Sequence, residues 1–106
     1  MPKYLVRANY VGDGIKGLLK DGGTHRRAVV EKFFKSLGGS LEAFYYAFGD
    51  TDLYVIAEFP DDASAAAASL LVSSTGAVTA SITVLLTPEQ LDQAAKKSPT
   101  YTAPGK

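Results

Sequence analysis

The spacing of apolar residues changes period several times along this chain, and each change marks a boundary between elements. Lys3 to Val11 carries the β-favouring residues Tyr4, Leu5, Val6, Tyr10 and Val11 and predicts a strand. Gly12-Asp13-Gly14 ends it, and a short helical turn with Ile15, Leu18 and Leu19 runs to Gly22-Gly23. Thr24 then has the chemistry of an N-cap, and Val30, Phe33, Phe34 and Leu37 share one face of a helix that Gly38-Gly39 stops. Two apolar runs, Leu41 to Phe48 and Leu53 to Phe59, are joined by Gly49-Asp50-Thr51-Asp52 and predict a hairpin. Pro60-Asp61-Asp62 opens a second helix, with acids at its positive end and an alanine body, Ala65 to Ala68, that permits close packing; Gly76 closes it. Val78 to Leu86 reads as a fourth strand, and Thr87-Pro88-Glu89-Gln90 as the capping box and leading proline of a last helix. From Ser98 onward, Pro99, Pro104 and Gly105 predict an extended tail whose one large apolar residue is Tyr101. Residues 1–97 therefore read as a single domain and residues 98–106 as a tail.

The order β-α-β-β-α-β is a split βαβ layout, an α+β fold with a four-stranded antiparallel sheet and helices on one face only. Simple alternation turns Tyr4, Val6, Ala8, Leu41, Ala43, Tyr45, Leu53, Val55, Ala57, Val78, Ala80, Ile82 and Val84 toward the helices. The other face then receives Leu5, Arg7, Asn9, Glu42, Phe44, Tyr46, Phe48, Tyr54, Ile56, Glu58, Thr79, Ser81 and Thr83. That surface has too many aromatic and aliphatic groups for open water and too many polar ones for a core. Interfaces between proteins have this mixture, enriched in aromatic residues and arginine. It predicts a homodimer formed through the sheet faces, with Arg7 paired to Glu58 or Glu42 within it.

Charge and cysteine content narrow the partners. Lys plus Arg and Asp plus Glu each number 11, so the net charge is zero and no single-sign field draws nucleic acid or an anionic membrane. With no cysteine there are no disulfides, zinc thiolates, iron–sulfur ligands or thiol nucleophiles. No basic-then-apolar leader opens the chain, and no apolar stretch reaches the ~18 residues that span a bilayer, so a cytoplasmic location is expected.

Gly22-Gly23-Thr24-His25-Arg26-Arg27, Ser36-Leu37-Gly38-Gly39, the run from Glu42 through Phe48 and Gly49-Asp50-Thr51-Asp52, and Pro60-Asp61 together resemble the small bacterial family called the GYD domain. The resemblance extends from Lys3 to about Tyr101, with Thr51 standing where the family usually has the tyrosine before Asp52. It implies a ferredoxin-like βαββαβ fold in the dimeric α/β-barrel group. Relatives in that group include cofactor-free monooxygenases, haem-binding enzymes, stress proteins and effector-binding domains. No reaction is carried over by the fold, because function resides in a site.

Several motifs invite chemistry. Gly12-Asp13-Gly14-Ile15-Lys16-Gly17 matches G-x-G-x-x-G after a strand, but Gly22-Gly23 breaks the following helix at once, whereas a dinucleotide site needs that helix to run on to a parallel strand. A flexible loop is the simpler reading. His25, the single histidine, opens a helix and reads first as an exposed polar residue; without cysteine or a second histidine, a metal site would have to be built from carboxylates such as Asp21, Asp50 and Asp52. Arg26 and Arg27 oppose the helix macrodipole, so something must offset them. Either Arg27 pairs with Glu31 and Arg26 lies along the surface, or Arg26 and free helix N–H groups receive an anion.

Topology gathers the end of the first strand, the start of the first main helix, the hairpin turn and the start of the fourth strand at one pole. Asn9, Tyr10, His25, Arg26, Asp50, Asp52, Tyr54 and Thr79 converge there, and Asn9, Tyr10, His25, Arg26, Asp52 and Tyr54 are the expected ligand-binding set. The competing structural reading has Asp50 and Asp52 capping the hairpin and the tyrosines half-buried in the core. The expected function is a homodimeric module that binds a small organic ligand or a partner, with no cofactor. The alternative, taken from the resemblance, is a cofactor-independent monooxygenase-like enzyme acting on a small aromatic compound, with Asn9 and Tyr45 or Tyr54 orienting it and His25 moving protons. A third reading is a purely structural assembly protein.

Overall fold

The computed structural model describes residues 1–106. Its elements follow the order β1 (Lys3–Tyr10), α1 (Asp13–Asp21), α2 (Gly23–Ser36), β2 (Ser40–Tyr46), β3 (Leu53–Glu58), α3 (Asp62–Ser74), β4 (Val78–Leu85) and α4 (Pro88–Lys96). The strands form one antiparallel sheet in the order β2-β3-β1-β4, the ferredoxin-like arrangement expected of the split βαβ pattern. Phe34 of α2 and Ala65 and Ala68 of α3 pack on the sheet face made by Tyr4, Val6, Ala8, Tyr10, Leu53, Val55 and Ala57, with Phe59 beside them. Tyr4, Val55 and Phe59 are the largest fully buried side chains. Burying a side chain such as Val55 or Phe59 contributes roughly 1.5–3 kcal/mol. The ring of Phe59 stands edge-on to Phe34 and Tyr4, at centroid distances of 5.0 and 5.8 Å.

Two helix starts form as their sequences dictate. Asp61 accepts the Ser64 backbone N–H at 2.8 Å as the N-cap of α3. At α4, Thr87 and Gln90 exchange bonds of 2.8 and 3.1 Å in a full capping box, with Pro88 leading the helix. The start of α2 differs from expectation. Gly22 and not Thr24 is its N-cap, no side chain accepts there, and no acid lies in the first turn. The short turn expected before it is a complete helix, α1, and Gly14 in that helix lies so close to β4 that a Cβ would fall 2.0 Å from the Ala77 carbonyl oxygen. Close packing explains that glycine without any dinucleotide site.

The largest departure lies in β2. Leu41 pairs with Ala57, but Ala43 pairs with Ile56, so Glu42 is an extra residue in a β-bulge. From that point the strand's facing is reversed relative to simple alternation. Phe44 and Tyr46, expected on the bare face, lie opposite Val55 and Leu53 on the helix side; Ala43 and Tyr45 take their place on the bare face, opposite Ile56 and Tyr54. Ala43, Phe44, Tyr45 and Tyr46 are apolar or aromatic without a break and satisfy either register, which is why alternation could not locate the bulge.

On the bare face, Lys3 takes up both Glu42 and Glu58, at 2.6 and 3.1 Å. Arg7 is exposed, enters none of the chain's ion pairs, and lies across from Tyr54 on one side and Ser81 on the other. Tyr45, across from Tyr54, is 71 % exposed. Beyond β4 the chain leaves the sheet: α4 is exposed along its whole length, and Tyr101 in the tail contacts no core. The radius of gyration of 17.0 Å accordingly exceeds the roughly 13 Å of a compact domain this long. No helix is long and apolar enough to cross a membrane.

Candidate functional site

The pole where β1 ends is closed by short bonds between strands. The Val11 N–H donates to the Ala77 carbonyl at 2.9 Å, the Asp52 N–H to Asn9 Oδ1 at 2.9 Å, and the Tyr10 N–H to the Asp52 carboxylate at 3.0 Å. These bonds fix Tyr10, which is buried, between the start of β4 and the β2–β3 turn. A cleft of about 290 Å³ opens beside it, lined by Tyr10, Asp13, Leu18, Asp21, Arg26, Thr75 and Val78 among others. Behind it, between sheet and helices, lies a smaller cavity of about 60 Å³ walled by Val6, Ala8, Phe33, Phe34, Val55 and Ile82. Tyr10, Arg26, Val72 and Val78 line both, so this quartet forms the partition between the open cleft and the apolar interior.

Arg26 is half-buried, and its Nε is enclosed without any hydrogen-bond partner. Its charge is permanent. It also lies in the opening turn of α2, where a cation opposes the helix macrodipole by about 0.3–1 kcal/mol. A buried donor without an acceptor costs about 1–3 kcal/mol more. No carboxylate forms a direct ion pair with Arg26; Glu31, the partner expected for Arg27, instead faces Lys35 at 3.9 Å.

The bulge brings in a residue that alternation had assigned elsewhere. Tyr46 reaches across to the start of α2 and donates its phenol to the Gly23 carbonyl at 3.2 Å. A Cβ on Gly23 would lie 2.8 Å from the Tyr46 ring, so only glycine lets the ring settle there. Burial, and after it the neighbouring Tyr10 phenol, pushes the Tyr46 hydroxyl up to about 12 against the opposing pull of Arg26 and Arg27. Tyr10, Tyr46 and Asp52 also line an apolar groove of about 460 Å³ with Ile15, Leu19 and Phe48.

The expected ligand-binding residues divide accordingly. Tyr10 and Arg26 meet at the cleft, and Asn9 and Asp52 stitch its rim. His25 is exposed and lines none of these cavities. Tyr54 is on the bare face of the sheet, across from Arg7. No group of three or more His, Asp or Glu side chains is placed to hold a metal ion.

Compared with curated proteins and with solved structures, the chain matches none. Residues 4–95, a span that runs from β1 into α4 and contains every residue of the cleft, match the family model described as the GYD domain, and the chain belongs to that family.

Proposed function

We propose that this chain is a homodimeric module that binds a small organic ligand in the cleft between its sheet and its helices. One observation carries the reading: the two faces of the sheet differ in what they leave open. The helix side closes over an apolar cavity whose wall toward the open cleft includes Tyr10 and Arg26. The bare side presents Tyr45, Tyr54 and an unpaired Arg7 around Leu5 and Ile56, the side-chain mixture of an interface core. A concave, largely apolar site with a few convergent polar groups supports small-molecule binding. In this division Tyr10 and Arg26 touch the ligand, Asn9 and Asp52 hold the rim, and Tyr54 serves the dimer.

The oxygenase-like alternative asks for a proton carrier beside the substrate. His25 lies outside both the cleft and the cavity, and no observation favours that reading. Native mass spectrometry of the protein purified from its own host tests the proposal. A two-chain species carrying a small-molecule adduct supports it, and a single chain with no adduct contradicts it.

A further inference from the structure

We infer that the cleft selects a monocarboxylate with a small apolar body, its carboxylate received by Arg26 and its hydrocarbon part lodged in the cavity behind. This rests on the ligand-binding reading above and adds the chemistry of the ligand.

Three independent features converge on that class. The first is a donor left without an acceptor: the enclosed Arg26 Nε has none, and the first turn of α2 holds no acid and no side-chain cap. A guanidinium presents a planar fork of donors that matches a carboxylate's two oxygens. A carboxylate entering the cleft meets that guanidinium, which lines it.

The second is the apolar wall behind Arg26. Apart from Arg26 itself, Ser69 and the Tyr10 phenol, the cavity is lined by hydrocarbon and aromatic rings. Its volume of about 60 Å³ exceeds the ~10–15 Å³ that one water needs, yet it offers water few partners. A branched alkyl group fits such a space, and a fused ring system does not.

The third is the charge at the mouth. Asp13 and Asp21 line the outer cleft with Arg26. They repel a ligand of two or more negative charges, such as a phosphate ester, whereas one carboxylate is matched by the single guanidinium. Like-charge juxtaposition of this kind is how sites reject wrong partners.

Titration of the ¹⁵N-labelled full-length protein with isovalerate, its neutral isostere isovaleramide, and inorganic phosphate tests the inference by two-dimensional NMR. Isovalerate is expected to shift the amides of Tyr10, Arg26, Val72 and Val78 and to bind about tenfold or more tightly than isovaleramide, as a charge-assisted bond implies. Phosphate is expected to bind more weakly than isovalerate. Arg26→Met removes the preference for acid over amide while isovaleramide binding persists; should that variant fail to fold, Arg26→Gln serves the same comparison.

Equal affinity for acid and amide, a preference untouched by the Arg26 variants, or a preference for phosphate overturns the monocarboxylate assignment and leaves ligand binding standing. Binding of none of the three at this pole removes the ligand-binding reading, and the inference with it.

Discussion

Asn9 and Asp52 hold two segments together through reciprocal bonds: Asn9 Oδ1 accepts the Asp52 backbone N–H at 2.9 Å, and the Asp52 carboxylate accepts the N–H of the residue after Asn9 at 3.0 Å. The pair joins the end of β1 to the β2–β3 turn and sets the position of Tyr10 in the cleft. Asp52→Ala leaves a part-buried N–H unsatisfied and is expected to lower stability by about 1–3 kcal/mol. Asn9→Ala acts on the same turn, so the double variant should lose less than the sum of the single losses. Urea denaturation of the four proteins measures this, and strict additivity would contradict the shared lock.

Arg26 is expected to be a destabilising residue in the ligand-free protein. Its enclosed Nε lacks a partner and its charge faces the positive end of α2. Arg26→Met keeps most of the apolar stem and removes both penalties, so the ligand-free variant should gain about 1 kcal/mol. In a domain near this size that is a rise in melting temperature of roughly 4–8 °C. Calorimetry without added ligand reads it directly; a variant that melts below the parent would mean the guanidinium is satisfied in solution.

Alkaline pH should expose the bond between Tyr4 and Asp62. The Tyr4 phenol donates to the Asp62 carboxylate at 2.6 Å, and that bond, followed by burial, pushes the phenol up to about 12 from 10.0. The folded protein thus keeps a proton that the unfolded chain has lost. Its contribution to stability is complete below pH 10 and is lost as the pH rises through about 12. Tyr46, also raised to about 12 and chiefly by burial, acts in the same direction, weakened by its contact with solvent. Urea midpoints measured across this window should fall, and Asp62→Ala should move Tyr4's part of the decline toward pH 10. A flat profile would show that the bond does not hold the proton.

What could be read from the sequence was whatever local chemistry decides. Asp61 and the Thr87–Gln90 box cap their helices because short polar side chains satisfy free N–H groups wherever a helix begins. The convergence of Asn9, Tyr10 and Asp52 followed from strand directions alone. The β2 bulge was not legible, because Ala43 to Tyr46 is apolar or aromatic in both registers, and the facing of Phe44, Tyr45 and Tyr46 depended on it. Tyr46 was therefore missed as a neighbour of Tyr10. The one available signal was Gly23, whose missing side chain makes room for that ring. The isolation of the Arg26 Nε was also hidden, since it depends on which acids fail to reach it in three dimensions.

The two faces of the sheet underlie the whole functional reading, and the bare one is the easier to probe. Leu5, Tyr45, Tyr54 and Ile56 surround Arg7 there, with Lys3 already bridging Glu42 and Glu58 at the edge. Replacing both Tyr45 and Tyr54 by Lys should place like charges around Arg7 on each copy and separate the subunits without disturbing the core. The most direct measurement is sedimentation equilibrium of the intact chain at micromolar concentration. The expected result is a mass of two 11.2 kDa chains, reduced to one by that double substitution; a single-chain mass for the unaltered protein at every concentration would contradict it.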